Sequence, residues 1–363
     1  MKPLLIERRT FLAGAGVAWL GSLAPAAAER LAGSDILFAA AYRDAQDGYG
    51  MAILDDKAEI VSAHALPSRG HGFATHPDAD WLVAFARRPG NFAVALPRQR
   101  TGQPVVFHTP PDRHFYGHGA FSADGRILCA AENAFETGDG VIGLYDATDG
   151  FSRLGEFASH GVGPHEIILM PDGKTLCVAN GGIRTHPDQG RQKLNLPTMA
   201  PSIAFIEMAT GTLLASHALP ANLHRLSLRH MAVDGRGQVW IGGQYEGDVM
   251  DEIPVLAKLS ADRGLVPVDL PGDGAIALGK YAGSVAISRD GATLAVASPK
   301  RGAVVLLDTL TGKVRSVEMK PGTCGVQACG DGFVSSSETG RFGSRHHNVA
   351  WDNHIAALLV APS

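Results

Sequence analysis

The stretch GVGPHEIILMPDGKTLCVANGG, residues 161–182, has near-copies along the chain, and this recurrence restricts the possible folds more than any other feature. With gaps allowed, GHGAFSADGRILCAAEN at 117–133, RHMAVDGRGQVWIGGQ at 229–244 and GSVAISRDGATLAVASP at 283–299 align with it. HGFATHPDADWLVAFARRPG at 71–90 and CGVQACGDGFVSSSETG at 324–340 follow it more loosely. Each begins with an apolar run, then a turn carrying Asp or Gly, then a second apolar run. A third run usually follows, as in VIGLYDATDG or VVLLDTLTG, and a more polar fourth, such as KVRSVEMK, closes the unit. Four strands joined by tight turns, and repeated, is the pattern of a β-propeller blade.

Naming the strands A to D from the channel outward, six units start near His71, His118, His165, His230, Ser284 and Gly325. Two pieces remain. DILFAAAYRD, YGMAILDD and EIVSAHAL near the N-terminus read as strands B, C and D without an A, and NHIAALLV near the C-terminus reads as an A without a B. Together they predict a seventh blade. The expected fold is an all-β, seven-bladed β-propeller whose ring is closed by N-terminal strands B–D and a C-terminal strand A. Six or eight blades are the alternatives.

In a propeller the D–A connections and B–C turns share one face, here called the top. Residues at the start of the A strands therefore gather at the top mouth of the central channel. Going round the blades from one to seven, that position is occupied by His71, His118, His165, His230, Ser284, Gly325 and His354. Five of the fifteen histidines fall at one register, on neighbouring blades. Imidazoles crowded into an apolar mouth repel one another when protonated and are costly to bury without partners. A bound cation resolves both problems, and neutral imidazole suits iron, copper, zinc or nickel. His71, His118, His165, His230 and His354 are thus the candidate ligands, with blades five and six leaving an open sector. In the irregular RFGSRHHNVAW, His347 competes with His354 for the last place. A hydrogen-bonded ring around ordered water is the bland alternative.

The B–C turns are expected to face the same mouth. They supply Arg87 and Glu132, and Tyr245 closes another such run. Glu166 follows His165, so strict strand alternation turns it away, either to orient a neighbouring histidine or to pair with an arginine in the wall. Between strands B and C of blade three lies an unusually long segment, residues 181–202, carrying Arg184. It is expected to act as a lid or as a docking surface for an anion.

Arg8-Arg9-Thr10-Phe11-Leu12, an apolar segment to about Leu23 and Ala26-Ala27-Ala28 read as a twin-arginine export signal over 1–28, leaving one propeller domain over 29–363. The apolar run is too short to span a membrane, so no stable insertion is expected. The destination is the periplasm, reached in the folded state. The formal net charge of −4, without a basic stripe, argues against nucleic acid as a partner. Cys129 and Cys177 occupy matching places in strand-like runs, where a small buried hydrophobe serves, and no disulfide is expected. No H-E-x-x-H, P-loop, C-x-x-C or G-x-S-x-G motif occurs.

The blade-three run from GVGPHEI to NLPTMAPS, with LRHMA, GGQYEG, YAGSVA and the closing WDNHI, resembles a bacterial family filed as a domain of unknown function, DUF1513. The resemblance covers essentially all of the chain beyond the signal. It implies a Tat-exported, propeller-like periplasmic protein, often encoded beside imelysin-type and di-haem peroxidase-like proteins. It thereby implies a role in iron acquisition with imelysin-type iron-uptake proteins as partners, and it carries over no catalytic residues. The leading expectation is a periplasmic metal-binding propeller in iron handling, holding a transition metal ion, iron first and copper or zinc next. A metal-dependent enzyme at the same site (lyase, lactonase or oxidoreductase) and a protein-interaction scaffold are the alternatives.

Overall fold

The structure, a computed structural model, describes residues 34–359 except 35, 79–80, 99–101 and 191. The export signal read at 1–28 lies outside the described residues. Seven four-stranded antiparallel sheets follow one another around a ring. Six are built from consecutive strands. The seventh joins the C-terminal strand Val349–Leu359 to the N-terminal strands Ile36–Asp44, Tyr49–Leu54 and Ile60–Ala65. Ile36 pairs with Leu359 and Asp44 with Val349 across this closure, so the two ends of the chain latch the ring together.

Within a blade, burial falls from the middle strands outward. Strand B of blade one, Trp81–Ala86, and of blade five, Thr293–Ser298, are buried at every position. Such strands are covered on both faces by neighbouring blades, and their sequences are continuous apolar runs. Strand D of blade two, Ser152–Ala158, instead alternates half-buried and exposed residues, the signature of an edge with one wet face. Hydrophobic clusters therefore sit between blades. One joins Trp240, Ile241, Leu256, Leu278, Val296 and Val305 of blades four and five.

The A–B turns repeat one device. In blade two, Asp124 accepts from the Ser122 hydroxyl at 2.6 Å and from the Arg126 amide at 3.1 Å. In blade five, Asp290 does the same with Ser288 and the Ala292 amide. Gly125 completes the blade-two turn at φ +72°, where a Cβ would stand 2.1 Å from Nε2 of His76 in blade one. That imidazole contacts the Gly125 carbonyl oxygen at 3.0 Å, so the turn also fastens neighbouring blades.

Blade six departs from the pattern. Its outer strands, Arg341–Phe342 and Arg345–His346, have two residues each. His347 lies there, contacting the Ala58 carbonyl at 2.9 Å and packing edge-on against Trp351. It is therefore not at the channel, and the ring position belongs to His354. Cys129, Cys177 and Cys324 are buried, and all four cysteines are free. No helix among the described residues is long and apolar enough to cross a membrane.

Candidate metal centre

The five histidines are placed by a shared irregularity. In blade one the A–B ladder runs Gly70 to Ala86 and resumes at Phe73 with Ala84, leaving His71 in a bulge. Register also slips between Phe115 and Gly119 around His118, between Pro164 and Glu166 around His165, and between Leu228 and His230. In the closing blade the slip lies between Tyr42, opposite Trp351, and Ala40, opposite Ile355, so His354 falls inside it. A bulge bends a strand and re-aims its side chains; four of the five imidazoles lie within one, while in blade four the unpaired residue is Arg229 and His230 resumes the ladder opposite Gly242. Gly117, at φ +101°, belongs to the blade-two bulge. A Cβ there would stand 2.6 Å from Cδ2 of His71, so only glycine admits the two rings side by side.

The rings form one cluster. His71 lies 5.1 Å from His118 and 4.5 Å from His354 between ring centres, and His118 lies 4.6 Å from His354. His165 is 5.2 Å from His118 and 4.7 Å from His230, which in turn is 4.7 Å from His354. Two triads, His71–His118–His354 and His118–His165–His230, each bring one nitrogen per ring within 4.8 Å of the others. His118 belongs to both.

Two carboxylates orient this cluster. Asp352, buried, lies 3.2 Å from Nδ1 of His71 and is held by Arg69 Nε at 2.5 Å and Arg87 Nη1 at 3.7 Å. Glu166 accepts the Met231 amide at 2.8 Å and faces Nδ1 of His230 at 3.5 Å and of His118 at 3.9 Å. The slip at His165 breaks the alternation that would have turned Glu166 away. Among the described residues, other ring nitrogens have no hydrogen-bond partner: His118 Nε2, His165 Nδ1, His230 Nε2 and His354 Nε2, while His230 Nδ1 has only Glu166 at 3.5 Å. A buried polar atom left unpaired costs about 1–3 kcal/mol, so such a concentration calls for ordered water or a bound ion.

Burial, followed by the positive charge of neighbouring imidazoles and arginines, holds the histidines neutral. His118 is pushed down to about 4, its drop limited by Glu166, and His230 to about 3, with Arg229 adding to burial. His71, His165 and His354 are displaced in the same direction. Burial raises Glu166 above its ordinary value. Neutral imidazoles with free lone pairs are the state that metal coordination requires.

The sector without histidine, at Ser284 and Val326, lines the cavity in the channel. The Ser284 hydroxyl receives the Val326 amide at 3.2 Å and ties blade five to blade six. Beneath the imidazoles a cavity of about 430 Å³ runs down the channel, lined by His118, His230, His354 and Glu166, then by Thr75, Ile168, Val233 and Ile287 further along the strands. The open space thus lies on the far side of the ring from the expected top mouth.

The remaining residues singled out in the sequence lie elsewhere. Glu132 belongs to strand Ile127–Ala134, wholly buried, where it accepts from Tyr145 at 2.6 Å and from both Arg153 nitrogens at 2.8 and 3.0 Å. It is an internal tie of blade two, not a group at the mouth. Arg184 is exposed and donates to the Thr137 carbonyl of blade two. Tyr245 donates to Asp251 at 2.5 Å on the rim of blade four. Arg87 reaches the cluster through Asp352. The 181–202 segment is strapped down at both sides, by Arg184 to blade two and by Lys193 to Glu246 of blade four.

A family model described as "Protein of unknown function (DUF1513)" matches residues 64–358. No curated protein matches the chain. Among solved structures, the hydrazine synthase of Kuenenia stuttgartiensis is similar at TM-score 0.57 and 14% identity, over 85% of this chain and 89% of that one. The Cps50 (Swd1) β-propeller domain of Myceliophteria thermophila is similar at TM-score 0.57 and 12% identity, over 84% and 92%. At these identities the likeness is one of fold alone.

Proposed function

This chain belongs to the DUF1513 family, and from that premise we propose that it is a periplasmic metal-binding propeller taking part in iron acquisition or handling. The single observation that carries the reading is the cluster of unpartnered, neutral imidazole nitrogens where the two triads meet at His118. His71, His118, His165, His230 and His354 would hold the ion, with Glu166 the nearest carboxylate. Metal–nitrogen bonds are about 2.0–2.1 Å, and triads whose nitrogens lie within 4.8 Å of one another can close on one ion by small side-chain movements. The donor set accepts iron, copper or zinc. Iron is assigned because the family resemblance implies iron handling, which also makes imelysin-type proteins the proposed partners. Export by the twin-arginine route, supported by Arg8-Arg9 and the alanines at 26–28, would let the ion be bound before translocation.

A second reading, a metal-dependent enzyme, is favoured by one observation. The cavity below the imidazoles has room for a small molecule, and Glu166 on its wall is a candidate proton acceptor. Elemental analysis of protein purified without a histidine tag tests the metal assignment. About one transition ion per chain is expected, lost to a strong chelator and regained on reconstitution. A redox-inert ion as the only native occupant would remove the iron part of the proposal.

A further inference from the structure

The channel cavity below the histidines has a polar roof and an apolar wall. His118, His230 and His354 border it, and each has an Nε2 without a hydrogen-bond partner among the described residues. Further along the strands the wall is made by Ile168, Val233, Val285, Ile287 and Ile355. Two polar residues of the wall are committed to main chain. The Ser284 hydroxyl receives the Val326 amide at 3.2 Å. Gln327 donates to the Ile355 carbonyl at 3.1 Å and accepts the Ala328 amide at 2.8 Å. Among the described residues that line the cavity there is one carboxylate, Glu166, and neither lysine nor arginine. Thr75, exposed, marks the lower end.

These features select among ligands. At about 430 Å³ the space has the size of a small-molecule site. An ion held by three imidazoles keeps at least one coordination position for a further donor. Two of the three residues in each triad border the cavity, so that position lies next to it. An anionic oxygen donor completes the shell and offsets part of the ion's charge. A second charge on the same molecule would be buried against apolar side chains with no counter-ion, at high cost. An organic cation would face the metal ion itself. The rest of the molecule must therefore be uncharged, and an apolar wall favours an apolar body.

We propose that the channel cavity takes a small organic chelator with one anionic oxygen-donor head and an uncharged, largely apolar body, the head on the ion and the body along the wall towards Thr75. This rests on the metal reading and deepens it, since the protein then holds the ion in a ternary complex rather than alone. Without the ion, the same head would meet Glu166 and no cation in the lining, so binding of the chelator depends on the metal. The chelator enters from the lower end of the channel, where Thr75 is exposed.

Cobalt(II) is the metal probe, because its visible spectrum reports both uptake and a change of ligands. Benzohydroxamate is the chelator probe. Acetohydroxamate supplies the same head without the ring, and 3-carboxybenzohydroxamate adds a second charge. With cobalt-loaded protein, benzohydroxamate is expected to change the spectrum and to bind at least about tenfold tighter than either of the others. After gel filtration, cobalt and probe elute together with the protein. Thr75→Trp, which fills the lower end from an exposed position, reduces that preference to below about threefold with cobalt uptake unchanged. Val233→Phe, in blade four, is the second filling variant, and circular dichroism confirms that each is folded. Equal affinity for the three probes, a preference that survives in the folded variants, or a probe that merely strips the cobalt overturns the proposal and leaves the metal reading standing. Benzohydroxamate binding equally well to metal-free protein also overturns it. No cobalt uptake by the wild type removes the metal reading and this proposal with it.

Discussion

Replacing His118 and His165 together by alanine lowers metal content at least about tenfold and leaves the propeller folded. His118 is common to both triads, so its loss takes a ligand from each. Loss of His118 already breaks both triads, and removing His165 as well leaves only His71, His230 and His354, which do not themselves form such a set among the described residues. The fold should tolerate the change. The strands are held by ladder hydrogen bonds and by apolar clusters between blades, while His118 Nε2 and His165 Nδ1 have no partners to lose. Deleting unpaired buried polar atoms offsets part of the packing lost. The check is elemental analysis of purified double variant alongside its far-ultraviolet circular dichroism and thermal unfolding. Unchanged metal in a folded variant would remove these residues as ligands.

Acid weakens the metal-free protein over a window set by the histidines. In the unfolded chain an imidazole takes up its proton near pH 6.5, but in the folded protein His118 does so only near 4 and His230 near 3. Between these limits the unfolded state binds more protons, so stability is fully present above about pH 6.5 and is lost progressively as pH falls towards 4. Two protons correspond to a slope of about 2.7 kcal/mol per pH unit. Glu166, raised by burial, works the other way by at most one proton, leaving at least about 1.4 kcal/mol per unit from these groups. His114, buried away from the ring and pushed down to about 4, acts in the same direction as the ring. Glu132, also raised by burial, opposes the histidines as Glu166 does, whereas carboxylates such as Asp234, held low by the Arg236 and Gln238 amides against the effect of burial, act below their ordinary 3.8. Denaturant unfolding of chelator-treated protein at successive pH values measures the slope. The double histidine variant should show a shallower one, and a flat profile from pH 6.5 to 4.5 would show that the imidazoles are not buried as a neutral cluster.

The propeller was legible because its signal is redundant. The Asp-Gly turns, the continuous apolar B strands and the polar D strands recur around the ring, and the unmatched ends fit only as one split blade. The gathering of His71, His118, His165, His230 and His354 followed from counting register alone. The bulges were not legible, because a two-residue period has no term for a slipped residue. For that reason Glu166, which strict alternation turns away, stands beside His118 and His230. Glu132 was misplaced for a different reason. Its strand runs on to Ala134, so what reads as a turn residue lies inside the ladder, opposite Val141. The side chains of Arg184 and Tyr245 were sent outward by local partners, Thr137 and Asp251, that no spacing rule supplies. The open cavity below the ring depends on side-chain volume along the inner strands, which motif spacing does not encode.

The central claim is that imidazole nitrogens from separate blades bind one ion at the channel axis. X-ray absorption at the metal edge of tag-free, metal-replete protein tests it most directly. The account predicts a first shell dominated by nitrogen at about 2.0–2.1 Å, with outer-shell scattering from at least three imidazole rings. A shell of oxygen alone, or of sulfur, would contradict it.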